Sequence, residues 1–196
     1  PPPTPPPTPP PYTETKSSAA SDVYKRQDQA ISEYEASIRI DQQFHPAKVN
    51  LAILLSQEGK NERAEQLLRS VVDEQPGMLE VAYSLGLLLV EMQEYQEAVN
   101  YLEQASAGLP ERARIHYNLG LLYQHLQDSI RAEQKLREAL ALAPGSLEFQ
   151  SALADHYLKR GLFEQARPIA EAMARMHPNE PIGGPMLNFI RQNTEK

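Results

Sequence analysis

Five histidines, His45, His116, His125, His156 and His177, are the side chains best suited to hold a metal or move a proton. Their spacing gives little to build on. His116 and His125 are nine residues apart, which places them near opposite ends of one helix and out of reach of a shared ion. His156 approaches His125 only from an adjacent helix, and packed or surface roles account for both. Neighbouring acids such as Asp73 and Glu74 follow helix surfaces as solvated faces, and Glu62 and Glu65 around Arg63 suit exposed helix pairing. The sequence carries no Gly-rich phosphate loop, no Gly-x-Ser-x-Gly elbow and no His-Glu-x-x-His helix. It has no Cys, so disulfides, thiolate chemistry, Cys-ligated zinc and Cys-x-x-Cys-His haem attachment are excluded from it. The reading is therefore a chain without catalytic residues, metal site or cofactor.

What positions side chains here is repetition. Four windows, His45–Met78, Leu79–Arg112, Ala113–Ser146 and Leu147–Glu180, share one pattern at a period of 34 residues without gaps. Each has Leu at its seventh place (Leu51, Leu85, Leu119, Leu153), followed by a small residue (Ala52, Gly86, Gly120, Ala154). Each has Ala at its twentieth (Ala64, Ala98, Ala132, Ala166) and Pro near its end (Pro76, Pro110, Pro144, Pro178). Within a window two apolar stripes at helical spacing flank a turn; in the second window the helices are expected over Glu80–Met92 and Gln96–Gly108, with the turn at Gln93–Tyr95. Gly59 and Gly161 mark that turn in the first and fourth windows, where Gly ends a helix at low steric cost. The terminal Pro lacks an N–H and closes the second helix. The small residues leave room for the partner helix. A lone pair cannot bury both stripes, so neighbouring pairs must stack into a solenoid.

The flanks differ. Nine of the 17 prolines fall in the first eleven residues, as in an extended, solvated chain. Ser17 to Gln27, SSAASDVYKRQ, resembles the translation of a transposon-end adapter used in sequencing libraries, so residues 1–27 are expected to be disordered and non-native. Residues 28–44 then fit the second helix of a window whose first helix is missing, with Ala30 at the twentieth place. After Glu180, Pro181 to Gly184 is too rich in Pro and Gly for helix; Pro185–Gln192 is expected to form a helix capping the stack within a segment 181–196. A net charge of −7 argues against nucleic acid as a partner, and no run approaches the roughly 20 apolar residues that span a bilayer.

Leu-Gly at Leu85 and Gly86 and again at Leu119 and Gly120, Tyr123 and Tyr157, Ala at the twentieth place, the small Ala105 and Ala139, and the terminal Pro together resemble the tetratricopeptide repeat over residues 28–180. Departures are local: Lys48, Ala82, His116 and Gln150 stand where an aromatic is often found, Val71 and Met173 replace small residues, and Pro168 falls early in the last repeat helix. The resemblance implies an all-α, right-handed α-solenoid of antiparallel helix pairs whose first helices line a concave groove. It places Val49, Asn50 and Ile53, then Tyr83, Ser84, Leu87 and Val90, then Tyr117, Asn118, Leu121 and Gln124, then Asp155 and Lys159 in that groove. Tyr83 and Tyr117 would offer rings and hydroxyls to a peptide, and Asn50 and Asn118 side-chain amides that both donate and accept. The same side chains are also placed to pack between adjacent helices. The Lys, Arg and Asn set by which chaperone-binding members hold a terminal carboxylate is replaced here by Val49, Ile53, Ser84, Tyr117 and Leu121.

The expected function is a non-catalytic scaffold for a protein or peptide partner, with compartment open. Two other readings stand beside it. Arg112–Gln124 and Ala152–Arg160 resemble C-terminal arrays of bacterial multihaem cytochrome-type proteins, which would make this the accessory array of a larger enzyme or electron carrier, any haem lying upstream. Similar arrays also hold assembly or secretion components at bacterial envelopes.

Overall fold

The computed structural model describes residues 15–194, with side chains from residue 25 onward. The described residues form ten helices and no strand: α1 (Thr15–Ile40), α2 (His45–Gln57), α3 (Asn61–Glu74), α4 (Leu79–Glu91), α5 (Tyr95–Gly108), α6 (Ala113–His125), α7 (Ser129–Leu142), α8 (Leu147–Lys159), α9 (Phe163–Met176) and α10 (Gly183–Thr194). This is an all-α solenoid of helix pairs, and among the described residues no helix is long and apolar enough to cross a membrane. The chain divides into two compact units, Pro1–Leu67 and Leu68–Lys196.

In the first unit α1 packs on α2, burying Ala47, Leu51, Ala52 and Leu55. The helix α1 runs back to Thr15 and so takes in residues 15–27. That stretch has no apolar stripe, but it also has no Pro or Gly; a helix anchored at Ile31–Ile38 propagates into it at little cost per residue. The Pro-rich head, residues 1–14, lies outside the described residues.

In the second unit each window folds the same way. Leu85, Leu89, Ala98, Leu102 and Ala105 are fully buried in one pair, and Leu119, Ala132, Leu136 and Ala139 in the next. A Cβ at Gly86 would stand 2.7 Å from Leu102 Cγ, and one at Gly120 the same 2.7 Å from Leu136 Cγ. Buried Tyr123 and Tyr157 donate their hydroxyls to Glu103 at 2.7 Å and Glu133 at 3.0 Å, and burial pushes the Tyr123 pKa up to about 12.

The turns between paired helices are built alike in all four windows. The residue at the fifteenth place is left-handed, with φ of 74° at Gly59, 65° at Gln93, 61° at Gln127 and 70° at Gly161. Its successor donates to a carbonyl five residues back: Lys60 to Leu55 at 2.8 Å, Glu94 to Leu89 at 2.8 Å, Asp128 to Tyr123 at 2.9 Å and Leu162 to Tyr157 at 2.9 Å. This is the Schellman pattern, which satisfies carbonyls that a helix end would otherwise orphan. It also shifts the expected turn: Met92–Glu94 make it and Tyr95 opens α5. The second helices of all four windows stop two residues before their terminal Pro, at Glu74, Gly108, Leu142 and Met176. Pro168 sits within α9 without ending it.

The capping helix begins earlier than the sequence implies, at Gly183, because Pro185 falls in the first turn, where its missing N–H costs nothing. Ile190 is fully buried in a cluster with Leu153, Tyr157, Ala166 and Ala170. Gly183 lies so close to α9 that a Cβ would come within 2.6 Å of Ala174 N and 2.9 Å of Ala170 O.

Two outcomes follow from these contacts. Gly183→Ala drives a Cβ into the α9 backbone and is expected to lose about 1–3 kcal/mol, read as faster amide exchange through α10 while α4–α7 stay protected. Gln93→Gly relieves a left-handed non-glycine and is expected to gain up to about 1 kcal/mol, or roughly 2–4 °C in melting temperature; an unchanged or lower melting temperature contradicts it.

Candidate functional site

The first helices of the second unit, α4, α6 and α8, place the expected groove residues on one register. Tyr83, Leu87 and Val90 on α4 and Tyr117, Asn118 and Gln124 on α6 are half-buried, Leu121 is 38% exposed, and Asp155 and Lys159 on α8 are exposed. None is sealed in the core. Their inward neighbours Leu85, Leu89, Leu119 and Leu153 are, so the helices carry a packed face and an open one. Asn50 and Ile53 occupy the same places on α2, in the first unit, and are exposed.

Polar contacts tie the face together. Asn118 Nδ2 donates to the Tyr83 hydroxyl at 2.7 Å, linking α6 to α4. The Asn118 carbonyl oxygen keeps its lone pairs, so the amide half that accepts is the half a ligand N–H would meet. Tyr117 stacks on Phe149, with ring centroids 4.9 Å apart. Arg114 pairs with Glu148 at 2.6 Å and lies over both rings, 5.2 and 5.1 Å from their centroids. Burial raises the pKa of Tyr83 and of Tyr117, keeping both hydroxyls neutral. The hydrogen bond from Arg114 lowers that of Glu148, so the pair is ionic at neutral pH.

Towards the far ends of α6 and α8 the face becomes polar. His156, 4% exposed, has Nδ1 3.1 Å from the Gln124 amide and Nε2 3.3 Å from Arg160 Nη1. Arg160 can only donate, so Nε2 accepts; Nδ1 then carries the proton, and the Gln124 amide must present its oxygen. Burial, and then the charge of Arg160, lower the His156 pKa, which keeps the ring neutral. Gln124, Gln127, Ser129, His156, Lys159 and Arg160 line a recess of about 230 Å³.

Sequence reasoning placed Gln124 and Lys159 on this face and missed Arg160 and the orientation of His156. His156 turns to Gln124 and Arg160, whereas His125 stacks on Tyr95 with centroids 4.3 Å apart. Among the described residues no group of three or more His, Asp or Glu converges as metal ligands would.

Models of the tetratricopeptide repeat match residues 83–147 and residues 126–182, and the chain belongs to the tetratricopeptide repeat family. No curated protein sequence matches it. Among solved structures, MamA is similar with 20% identity and a TM-score of 0.74, over 86% of this chain and 97% of that one. A tetratricopeptide repeat protein from Parabacteroides merdae has 20% identity and a TM-score of 0.74, over 92% of this chain and 72% of its own. YrrB, described as a TPR protein with an unusual peptide-binding site, has 20% identity and a TM-score of 0.70, over 83% of this chain and 85% of its own. These likenesses are to the fold, and the cytochrome-type resemblance of Arg112–Gln124 has no counterpart among them. Solenoids of this family hold other proteins on extended surfaces.

His156 occupies a place filled by Leu88 and Leu122 in the preceding windows. His156→Leu is therefore expected to melt at or above the parent. The sign of the pH effect follows from the depressed pKa: below the ordinary histidine value of 6.5 the unfolded ring takes up a proton before the folded one does, so folded stability falls with pH from there down to the depressed value. The variant should lose part of that slope in urea titrations run across pH 5–7; a variant with the parental slope contradicts the assignment.

Proposed function

We propose that the face formed by α4, α6 and α8 holds an extended or helical peptide of a protein partner, which makes the chain a non-catalytic interaction scaffold. The observation that supports this reading is the open row Tyr83, Leu87, Val90, Tyr117 and Leu121. Its members are half-buried or exposed and apolar or aromatic, and two of the places, Tyr83 with Tyr117 and Leu87 with Leu121, repeat at the 34-residue period on α4 and α6. Such rings supply large contact area at low entropic cost, and the Asn118 oxygen supplies an acceptor for a backbone N–H. Asn50 and Ile53 hold the places of Asn118 and Leu121 on α2, in the first unit. YrrB, a protein of similar fold, is described as having an unusual peptide-binding site, which is consistent with this reading.

The test uses a random 12-residue peptide display library selected on the immobilised full chain, followed by affinity measurement of the winning peptide. A Tyr83→Ala, Tyr117→Ala double variant that melts like the parent is expected to bind that peptide tenfold or more less tightly, since buried aromatic anchors contribute on the order of 2 kcal/mol each. Undiminished binding by the folded variant, or no selected peptide at all, removes the reading.

A further inference from the structure

The four repeats act as internal controls for one another, and the place of His156 departs from its column. The recess of Gln124, Gln127, Ser129, His156, Lys159 and Arg160 has a counterpart one period earlier in Val90, Gln93, Tyr95, Leu122, His125 and Leu126. There the fold is filled with aliphatic side chains and the stacked Tyr95–His125 pair. One period later the matching places hold Leu158, Gly161, Phe163, Ile190, Asn193 and Thr194, and Ile190, the counterpart of His156, is fully buried. Packing therefore does not call for a buried histidine between α6 and α8. Burying a histidine where its neighbours have leucine and isoleucine costs stability unless the ring is fully hydrogen-bonded.

We propose that this recess receives the carboxylate side chain of an Asp or Glu in the peptide held along α4, α6 and α8; the inference rests on that reading of the face. Charge complementarity is the first support. In a chain of net charge −7, the recess presents Lys159 and Arg160. Arg160 is partly neutralised by Glu133 of α7 at 3.1 Å. Lys159 is exposed and makes no ion pair among the described residues, and Asp155, one turn back on α8, is not among the lining residues. Continuity is the second support. Gln124 and Lys159 belong both to the open face and to the recess, so a peptide that sets an apolar side chain on Leu87 and Leu121 carries its next residues to the recess. The amides of Gln124 and Gln127 and the Ser129 hydroxyl add neutral donors of the kind that fix a carboxylate's orientation.

The occupied recess would also change its histidine. Arg160 and Lys159 both depress the His156 pKa, after burial, while Glu133 opposes them. A docked carboxylate offsets those two cations and raises it, so binding takes up protons near the ring's titration point.

The experiment pairs peptides with proteins. From peptides selected on the full chain, the tightest acidic one is remade with Asp→Asn or Glu→Gln, and again with Lys at that position. All three are measured against the parent and against Lys159→Glu, whose exposed site leaves the fold intact and whose melting curve verifies it. The proposal expects selected peptides to carry an acid within a few residues of an apolar side chain. It expects about tenfold weaker binding when that acid is neutralised, a larger loss with Lys159→Glu, and recovery when the Lys peptide meets Lys159→Glu. It also expects the His156 ring resonance to titrate at higher pH with the acidic peptide than with its amide twin. Peptides without acidic preference, or equal affinities for parent and Lys159→Glu, overturn it. Peptides that respond to the Tyr83 and Tyr117 substitutions but not to Lys159→Glu overturn this inference alone, whereas absence of any selected peptide overturns the groove reading as well.

Discussion

The closest approach of two backbones within each helix pair is the constraint on which the repeated architecture rests. At Gly86 and Gly120 no room exists for even a methyl group, because Leu102 and Leu136 already occupy the space. The twentieth-place Ala on the opposing helix is completely buried in the same pairs. Where the small residue is Ala154 instead of Gly, the place held by Leu102 and Leu136 in earlier windows is held by Ala170, so volume is moved across the contact and not added to it. With the pair distance set, the left-handed turn residue sets the direction of return, and the terminal Pro sets where the second helix ends. Local chemistry at four places thus fixes a 34-residue period, and each pair then offers the next one the same apolar surface.

Those places were legible in the sequence because each is a single residue type with one physical reason. Less legible were features in which one residue substitutes for another's role. Gln93 and Gln127 adopt the backbone that Gly59 and Gly161 announce openly, and only the repeat register points to them. The fourth place, where family members often carry an aromatic, holds His116 and Gln150. Both reach back six residues to the carbonyl of the preceding terminal Pro, His116 to Pro110 at 2.9 Å and Gln150 to Pro144 at 2.7 Å. A hydrogen bond closes the junction there in place of ring packing. The start of α10 was misjudged for a different reason: Gly-Gly-Pro reads as a breaker in isolation, yet Gly183 is required by contact with the α9 backbone, information that no local pattern carries.

For the candidate site, the positions on first helices followed from register, but their chemistry in three dimensions did not. Nothing in the spacing of Tyr83 and Asn118 says that they hydrogen-bond to each other. Arg114 is equally unassuming in sequence, yet it pins Tyr117 and Phe149 by lying over both rings while holding Glu148. The signal for His156 was present all along: it is the histidine in a column that otherwise reads Leu54, Leu88, Leu122 and Ile190. Reading the histidines for pairwise metal-ligand spacing missed it; comparison down the repeat columns would have found it.

The same column comparison marks a second polar exception, and the contrast explains why only one of the two points to a ligand. Glu103 and Ser106 on α5, His116 on α6, and Lys135 and Glu138 on α7 border a cavity of about 510 Å³, where the next window has Arg137, Leu140, Gln150, Ile169 and Ala172. Every charge there is answered from within. Lys135 lies 3.5 Å from Glu103 and 3.3 Å from Glu138, His116 faces Glu138 at 2.9 Å, and Tyr123 donates to Glu103. Burial works against ionisation of Glu138, but Gln134, Lys135 and His116 outweigh it and hold its pKa below the usual carboxylate range. A closed network of this kind spends burial on pairing one helix with its proper neighbour, since a shifted register would strand its charges. The recess beside His156 is not closed in that sense: its hydrogen bonds leave Lys159 unanswered. A buried polar group that satisfies its neighbours specifies the fold, and a cation left over at the mouth of such a group is what a partner can use.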